Sequence, residues 1–294
     1  MRSDRASRMA IAGAMLMAMA MPVAAQAQAA PQVPAPYVKD PRNWPTPVVD
    51  TVPPTLPAFK ARHAVLVLSK TNGFRDDPQI RTANAALAAL VRARGWDVFV
   101  TENAAVSNPA QLAKFDVIVL NSTSGDIFTE AQRAAFRGWL ERGGGLVALH
   151  GAGGDHDYAW KWYQESLIGA VFMGHTARPK QFQQGTIHLA EPGHPILKGL
   201  PAAWTREEEW YAFDRVPSGA QTRILAWLDE DSYEPVPNQR MGAQHPIMWT
   251  RCIGRGRMVF SALGHKAETY GEPLHLRMIG NALDWAAVAK RQRC

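Results

Sequence analysis

Cysteine is almost missing from this chain. Its 294 residues include two, Cys252 and Cys294, so at most one disulfide can form and a cysteine-stapled scaffold is excluded. Charge is modest as well: 20% of residues are charged, and the formal net charge of +6 comes from scattered Lys and Arg with no basic stripe. Charge alone therefore defines no nucleic-acid surface. Beyond the first thirty residues no stretch approaches the roughly 18 uninterrupted apolar residues of a membrane-spanning helix. Four catalytic signatures are also missing: a G-x-S-x-G elbow, H-E-x-x-H, G-x-x-x-x-G-K-S/T, and G-x-G-x-x-G after a strand. Common serine hydrolases, zincins, phosphate-loop enzymes and dinucleotide-binding enzymes lose support accordingly.

What the chain does hold is a core. Hydrophobic residues make up 47%, aromatic residues 9%, and ten are Trp, enough to fold most of the length. The N-terminus is different. Arg2, Arg5 and Arg8 precede an apolar Met/Ala-rich stretch from Met9 to Met21, then Pro22 and the small-residue sites Ala25-Gln26-Ala27 and Ala27-Gln28-Ala29. This order predicts a cleaved signal peptide over 1–27, hence export, most simply to a periplasm, with no membrane attachment after cleavage. Cleavage would remove three Arg and one Asp, leaving +4. Nine prolines between Ala30 and Pro57 exclude regular structure, so 28–60 reads as a linker or an arm lying on the domain surface.

From 61 to 289 the pattern is one domain, followed by a short basic tail at 290–294. Ala64–Leu68 is a continuous apolar run, as expected of a parallel strand covered on both faces. Ile80, Ala83, Leu87, Leu90 and Val91 recur at helical spacing, and Asp97–Thr101 is a second strand. Asn108-Pro109 caps a short helix, and Asp116–Leu120 is the third strand. Thr129 with Gln132 predicts a capping box for a helix that buries Ala131, Ala135, Phe136, Trp139 and Leu140 and stops at Gly143-Gly144-Gly145. Leu146–Leu149 is the fourth strand. Further strands are expected at Thr186–Leu189, Arg223–Leu228, Pro246–Arg251 and Arg257–Leu263, with a closing helix that turns Ile279, Ala282, Leu283 and Ala286 inward. The rhythm predicts an α/β fold, a three-layer α/β/α sandwich on a mostly parallel flavodoxin-like sheet.

In such sheets ligands bind beyond the carboxyl ends of the strands. Three polar sets fall there: Ser69 to Arg75 after the first strand, Asn121-Ser122-Thr123 after the third, and His150 to Gly154 after the fourth. A histidine at a strand end is ordinarily a satisfied polar residue, but His150 opens a Gly/Ala-rich turn where backbone amides can approach a ligand.

The sequence from His63 to Ala287 resembles the ThuA-like (trehalose utilisation) family of the class I glutamine amidotransferase-like superfamily. The matching pieces run in order: Lys70-Thr71-Asn72-Gly73-Phe74-Arg75, Gly143-Gly144-Gly145 into Leu149-His150-Gly151-Ala152, Leu167-Ile168-Gly169-Ala170 leading to Gly174-His175, and Gly193-His194-Pro195-Ile196. Glu209-Trp210-Tyr211, Pro246-Ile247-Met248-Trp249, Gly254-Arg255-Gly256-Arg257 and Leu263-Gly264-His265 complete the set. The superfamily's amidotransferases carry a cysteine nucleophile at the tight turn after a parallel strand. Here that turn holds His150, and neither cysteine is near it, so glutaminase chemistry is not expected.

Candidate catalytic residues are His150, His175, Glu209 and His265, with Phe74, Arg75, Asn121, Asp155, Tyr211 and Trp249 as candidate substrate contacts. His194 is weighed evenly between this cluster and a structural role, because it precedes a proline. The run Glu207-Glu208-Glu209 would ordinarily be a solvated face, His156 reads as a solvated loop residue, and Trp160, Trp162 and Tyr163 read as packing ahead of a sugar platform. Gly254–Arg257 reads as a hairpin turn. Imidazoles beside a carboxylate can move protons near neutral pH, with His150 or Glu209 as base and His175 or His265 as acid or electrophile. They can also hold a divalent metal, although no pair here has short metal-ligand spacing. The resemblance implies a small-molecule carbohydrate partner such as trehalose or a keto-glycoside. A noncatalytic carbohydrate- or partner-binding module is the alternative; no nucleic-acid partner is expected, and a homodimer is left open.

Overall fold

A computed structural model describes residues 39–288. The expected signal peptide, the arm up to residue 38 and the basic tail lie outside the described residues. Among the described residues, eleven strands and four α-helices follow in chain order. β1 (Ala64–Leu68), β2 (Asp97–Thr101), β3 (Val117–Asn121) and β4 (Gly145–Leu149) alternate with α1 (Asp77–Arg92), the single-turn α2 (Pro109–Leu112) and α3 (Glu130–Glu141). Then come β5 (Phe172–His175), β6 (Gln183–Leu189), β7 (Ala203–Glu208), β8 (Tyr211–Phe213), β9 (Thr222–Asp229), β10 (His245–Ile253), β11 (Gly256–Ser261) and α4 (Pro273–Ala287).

Nine strands form one sheet in the order β2-β1-β3-β4-β11-β10-β9-β6-β7. The first five run parallel, and their order is the flavodoxin-like 2-1-3-4-5 arrangement. β1, β3, β4 and β11 are buried at every position, as strands covered on both faces are; the apolar runs of β1 and β4 announce this, whereas β11 also buries Arg257 and Ser261. α1 packs against α4, and α2 against α3, which completes the three layers. β10, β9, β6 and β7 extend the sheet by antiparallel pairing.

Local chemistry explains the helix starts. Asp76 caps α1 by accepting from the Gln79 amide at 3.1 Å, and Thr129 with Gln132 closes the expected capping box at α3. β5, β7 and β8 carry no apolar run long enough to announce them; β5 and β8 pair only with each other, as a short ribbon beside the main sheet. β11 stops at Ser261, two residues before the sequence reading ends it, so Ala262 to His265 leave the sheet as a loop. Among the described residues no helix is long and apolar enough to cross a membrane.

From residue 39 onward the arm lies on the domain surface, without helix or strand up to 63. Asp50 fastens it: one carboxylate oxygen accepts from the Ala104 amide at 2.9 Å and from Lys70 Nζ at 3.1 Å, and its carbonyl accepts from Gln132 Nε2 at 2.7 Å. Further along, the carbonyls of Val52 and Pro54 accept from Asn103 and Gln111.

Candidate active site

The centre forms where β4 and β11 end side by side. His150 follows β4 with φ of 46°, a left-handed conformation that a residue with a Cβ adopts only at some cost. The turn stands its imidazole over the strand ends. Gly154, a few residues on, allows the close approach of Tyr211: a Cβ there would meet the phenol oxygen at 2.7 Å. His150 Nδ1 lies 2.9 Å from the Ala262 carbonyl. A carbonyl only accepts, so Nδ1 carries the hydrogen and Nε2 presents its lone pair inward.

Around that lone pair three groups converge. Tyr211 Oη is 3.0 Å from Nε2, His265 Nδ1 is 3.0 Å away, and Glu209 Oε2 is 3.7 Å away. Glu209 Oε2 also lies 2.9 Å from His265 Nδ1. The other carboxylate oxygen, Oε1, accepts from Gln181 Nε2 at 2.7 Å and stands 3.1 Å from His175 Nδ1. On its far side, His265 Nε2 faces Asp76 Oδ2 at 3.6 Å, so one carboxylate both caps α1 and looks onto the centre. All four expected catalytic residues are therefore brought together.

Their burial differs. His150, Glu209 and His265 are buried, whereas the His175 side chain is 39% exposed. His175 pairs with Tyr211 across the β5–β8 ribbon, and its Nδ1 is 2.8 Å from the Thr176 carbonyl. That contact fixes the hydrogen on Nδ1 and leaves Nε2 as an outward-facing lone pair.

Electrostatics follow from the packing. Burial pushes the His150 imidazole down to about 3, helped by the neighbouring His265, so it stays neutral. Burial alone would raise Glu209, but the His265 hydrogen bond and the surrounding imidazoles outweigh it and hold the carboxyl at about 2. For His265, burial works downward and is overcome by Glu209, so this imidazole is raised. Burial raises the Tyr211 phenol well above its ordinary value, which keeps its hydroxyl as a donor. Glu208 is also buried, and burial raises it. It accepts from the backbone amides of Glu209, Gly264 and His265 and from Arg206, and so clamps the loop that carries His265. The acidic run is thus not a solvated face: Glu208 and Glu209 point inward, and only Glu207 reaches solvent, paired with Lys266.

The candidate substrate contacts divide. Phe74 lies at the rim, 39% exposed, with its ring 6.4 Å from that of His265, and Tyr211 is in the centre. Trp249 is a correction. It is fully buried, its indole donates to the Ile168 carbonyl at 2.8 Å, and it packs on Phe213 and Phe260, because β10 runs between two other strands. Asn121 is also fully buried, donating to Asn84 Oδ1 beneath the site. Arg75 is committed to Asp77, Glu102 and Thr71, and Asp155 ties the loops after β3 and β4 together by accepting from the Gly125 amide. Trp249 and Arg75 have their polar groups committed elsewhere, and the Oδ1 of Asn121, although unpartnered, is buried. His194 is structural: its Nδ1 accepts from the Ile196 amide and its ring packs on Trp285. Trp160 and Trp162 stack on each other, Trp160 meets Phe128 and Phe136 edge-on, and Tyr163 donates to the Ala152 carbonyl, as the packing reading expects. Gly254 and Arg255 form the two-residue turn between β10 and β11.

Sequence reasoning missed Asp76, Gln181 and Phe182. Phe182, 36% exposed, stands 5.1 Å from the His265 ring and forms a second rim aromatic. Asp76 had a usable signal, as an acid in the loop after the first strand; Gln181 and Phe182 lie in a segment without a recognisable pattern.

His150, Glu209 and His265 could also hold a metal ion: one ligand atom from each lies within 4.8 Å of the others. Cys252 takes no part in the centre. It pairs with Arg257, which in turn pairs with Gly145 at the opposite end of β4 from His150.

Fold and centre together define a flavodoxin-like α/β protein whose ligand edge is built from imidazoles and a carboxylate. The chain belongs to the ThuA family, described as trehalose utilisation, which it matches over residues 64–286. A ThuA-like protein from Bacteroides uniformis superposes with a TM-score of 0.66 at 24% identity, over 79% of this chain and 94% of that one. Another, from Parabacteroides merdae, gives 0.57 at 18% identity over 80% and 93%. A β-galactosidase from Rahnella sp. R3 contains a similar fold, at 0.50 and 13% identity over 77% of this chain and 32% of its own. No curated protein matches the chain.

Proposed function

We propose that this protein is exported through its N-terminal signal and acts on a small carbohydrate, a 3-keto-glycoside such as oxidised trehalose, without glutaminase activity. A keto group acidifies the adjacent C–H. His175 Nε2 takes that proton, oriented through Nδ1 by Glu209 Oε1 and the Thr176 carbonyl. The C–H electrons form a C=C bond to the anomeric carbon as the glycosidic C–O bond breaks. The departing oxygen leaves with a proton from the medium, and the Tyr211 hydroxyl, which stays protonated, turns from His150 Nε2 to donate to the charge that develops on the keto oxygen.

The observation that carries this reading is the continuous chain from exposed His175 through Glu209 to buried His265 and His150. It moves the base from His150 or Glu209 to His175, because His150 Nε2 is buried and already engaged. Phe74 and Phe182 at the rim suit the apolar face of a sugar ring. The test mixes residues 28–294 with trehalose, sucrose and their 3-keto forms and follows products by mass spectrometry. Cleavage of the keto forms only, lost in His175→Ala, is expected. Sugar binding without turnover, retained in His150→Ala, would replace the enzyme by a binding module.

A further inference from the structure

We propose that His150 Nε2, His265 Nδ1 and Glu209 Oε2 bind one divalent first-row transition ion. This deepens the keto-glycoside reading, on which it rests for the ion's chemical task but not for its binding. The three atoms stand 3.0, 2.9 and 3.7 Å apart. Ligands about 2.1 Å from one ion lie roughly 3.0 Å apart at right angles and roughly 3.4 Å apart at the tetrahedral angle. Two of the separations match the right-angle value and the third is somewhat wider.

Proton bookkeeping points the same way. His150 Nε2 is a bare lone pair, because Nδ1 is spent on Ala262, and an imidazole nitrogen has one lone pair. The Tyr211 hydroxyl satisfies it. The single hydrogen on His265 Nδ1 is satisfied by Glu209 Oε2. The 3.0 Å approach of the two ring nitrogens then has no hydrogen of its own, whereas a shared cation accounts for it.

The surroundings have the form that orients metal ligands. The outer nitrogen of one ligating imidazole meets a carbonyl, that of the other faces the Asp76 carboxylate, and the free oxygen of Glu209 is held by Gln181 and His175. Two imidazoles and one carboxylate select a first-row transition ion over Mg²⁺ or Ca²⁺, which take oxygen ligands. Three ligands leave room for the keto oxygen of a sugar, where the ion acts as Lewis acid while His175 takes the proton. The ion displaces the Tyr211 hydroxyl from Nε2, so the phenol is dispensable for uptake.

The experiment is read without substrate. Residues 28–294 are stripped with chelator and titrated with ZnCl₂ by calorimetry and with CoCl₂ by visible absorption, with near-ultraviolet dichroism as the fold check. One equivalent should bind. His265→Ala and Glu209→Ala should each weaken uptake by about 100-fold or more, and Asp76→Asn, which keeps an acceptor for the α1 cap, by about 10-fold or more. Tyr211→Phe should stay within about threefold of wild type, a margin well below the loss expected when a group orienting a ligand is removed. If an alanine variant does not fold, Glu209→Gln and His265→Asn replace it. No stoichiometric uptake by the wild type, or uptake that survives loss of both His265 and Glu209, overturns the proposal. Uptake without turnover of any keto-sugar would leave the metal site standing and remove the carbohydrate reaction. Full turnover by the stripped protein would keep the carbohydrate reaction and overturn the ion's part in it as Lewis acid.

Discussion

Nε2 of His150 and Nδ1 of His265 face each other at 3.0 Å across 115 residues of sequence. The parallel pairing of β4 with β11 makes this possible, with Leu149 opposite Ser261. One segment then does two jobs: the Ala262 carbonyl fixes the His150 tautomer, and three residues later the same loop delivers His265. Because Glu208 holds the amides of Gly264 and His265, the spacing of the two imidazoles is set by backbone on both sides. The pair is preorganised by the sheet, and its chemistry does not depend on a flexible loop closing.

His175 and the buried pair can be separated by kinetics. His175→Ala removes the outward lone pair but leaves the ring contacts of His150 with Tyr211 and His265. With a 3-keto-glycoside, kcat should fall by about 100-fold or more while KM changes little, the size expected for loss of one general base. A drop confined to KM would make His175 a sugar contact instead.

Glu208 is a structural carboxylate whose loss should be felt in both stability and the centre. Both oxygens meet only donors: the Gly264 amide and Arg206 on one, the Glu209 and His265 amides on the other. Glu208→Gln places an NH₂ against donors and leaves Arg206 less well paired in a buried setting. A destabilisation of about 2–4 kcal/mol is expected from urea unfolding. An unchanged midpoint would show that the loop does not need this clamp.

Much of the centre was legible because parallel strands advertise their ends. The apolar runs of β1, β3 and β4 end abruptly in polar residues, which placed His150 and the loop from Ser69 to Arg75 at the ligand edge, one residue short of Asp76. Trp249 stands in the middle of β10, which lies between β9 and β11, and sequence carries no sign of which strand is interior. The Glu207–Glu209 run could not be resolved either. Whether Glu208 and Glu209 turn inward depends on Arg206, His265 and the β5–β8 ribbon, all of which are brought there by pairing over long separations. Local periodicity records which face a residue takes within its own element. It does not record which distant groups will be waiting there.

His275 should make the fold sensitive to acid. It is buried, and neither ring nitrogen has a hydrogen-bond partner among the described residues. Burial first, then Arg206 and His150, pushes its pKa well below 6.5. The native state therefore binds fewer protons than the unfolded chain: the contribution is complete above 6.5, the unfolded value, and is lost as the pH falls toward the folded value. His275→Phe keeps a ring against Tyr270 without the titrating group. It should flatten the fall in Tm between about pH 7 and pH 5 and add about 1 kcal/mol at neutral pH by removing unsatisfied nitrogens. An unaltered pH slope would place the acid sensitivity elsewhere.

Asp50 should decide whether the proline-rich arm stays on the domain. Its side chain is 20% exposed and joins Lys70 and the Ala104 amide, while its carbonyl holds Gln132. Asp50→Ala removes an ion pair and a capped amide that are only partly shielded, so a loss of about 1–2 kcal/mol is expected. The arm also reaches the rim of the centre: the Asn43 carbonyl accepts from the Arg75 amide, the Asn43 side-chain amide donates to the Arg75 carbonyl, and the Trp44 ring meets Phe74 edge-on at 5.8 Å. Loosening it should therefore speed tryptic cleavage at Lys39, Arg42 and Lys60 and weaken sugar binding through Phe74, while the buried imidazoles keep their spacing. Limited proteolysis beside a binding isotherm separates these effects. Cleavage at the wild-type rate would show that the contacts left in place, among them Gln132 to the residue-50 carbonyl, Asn72 to Val48, Asn103 to Val52 and Gln111 to Pro54, hold the arm without the Asp50 carboxylate.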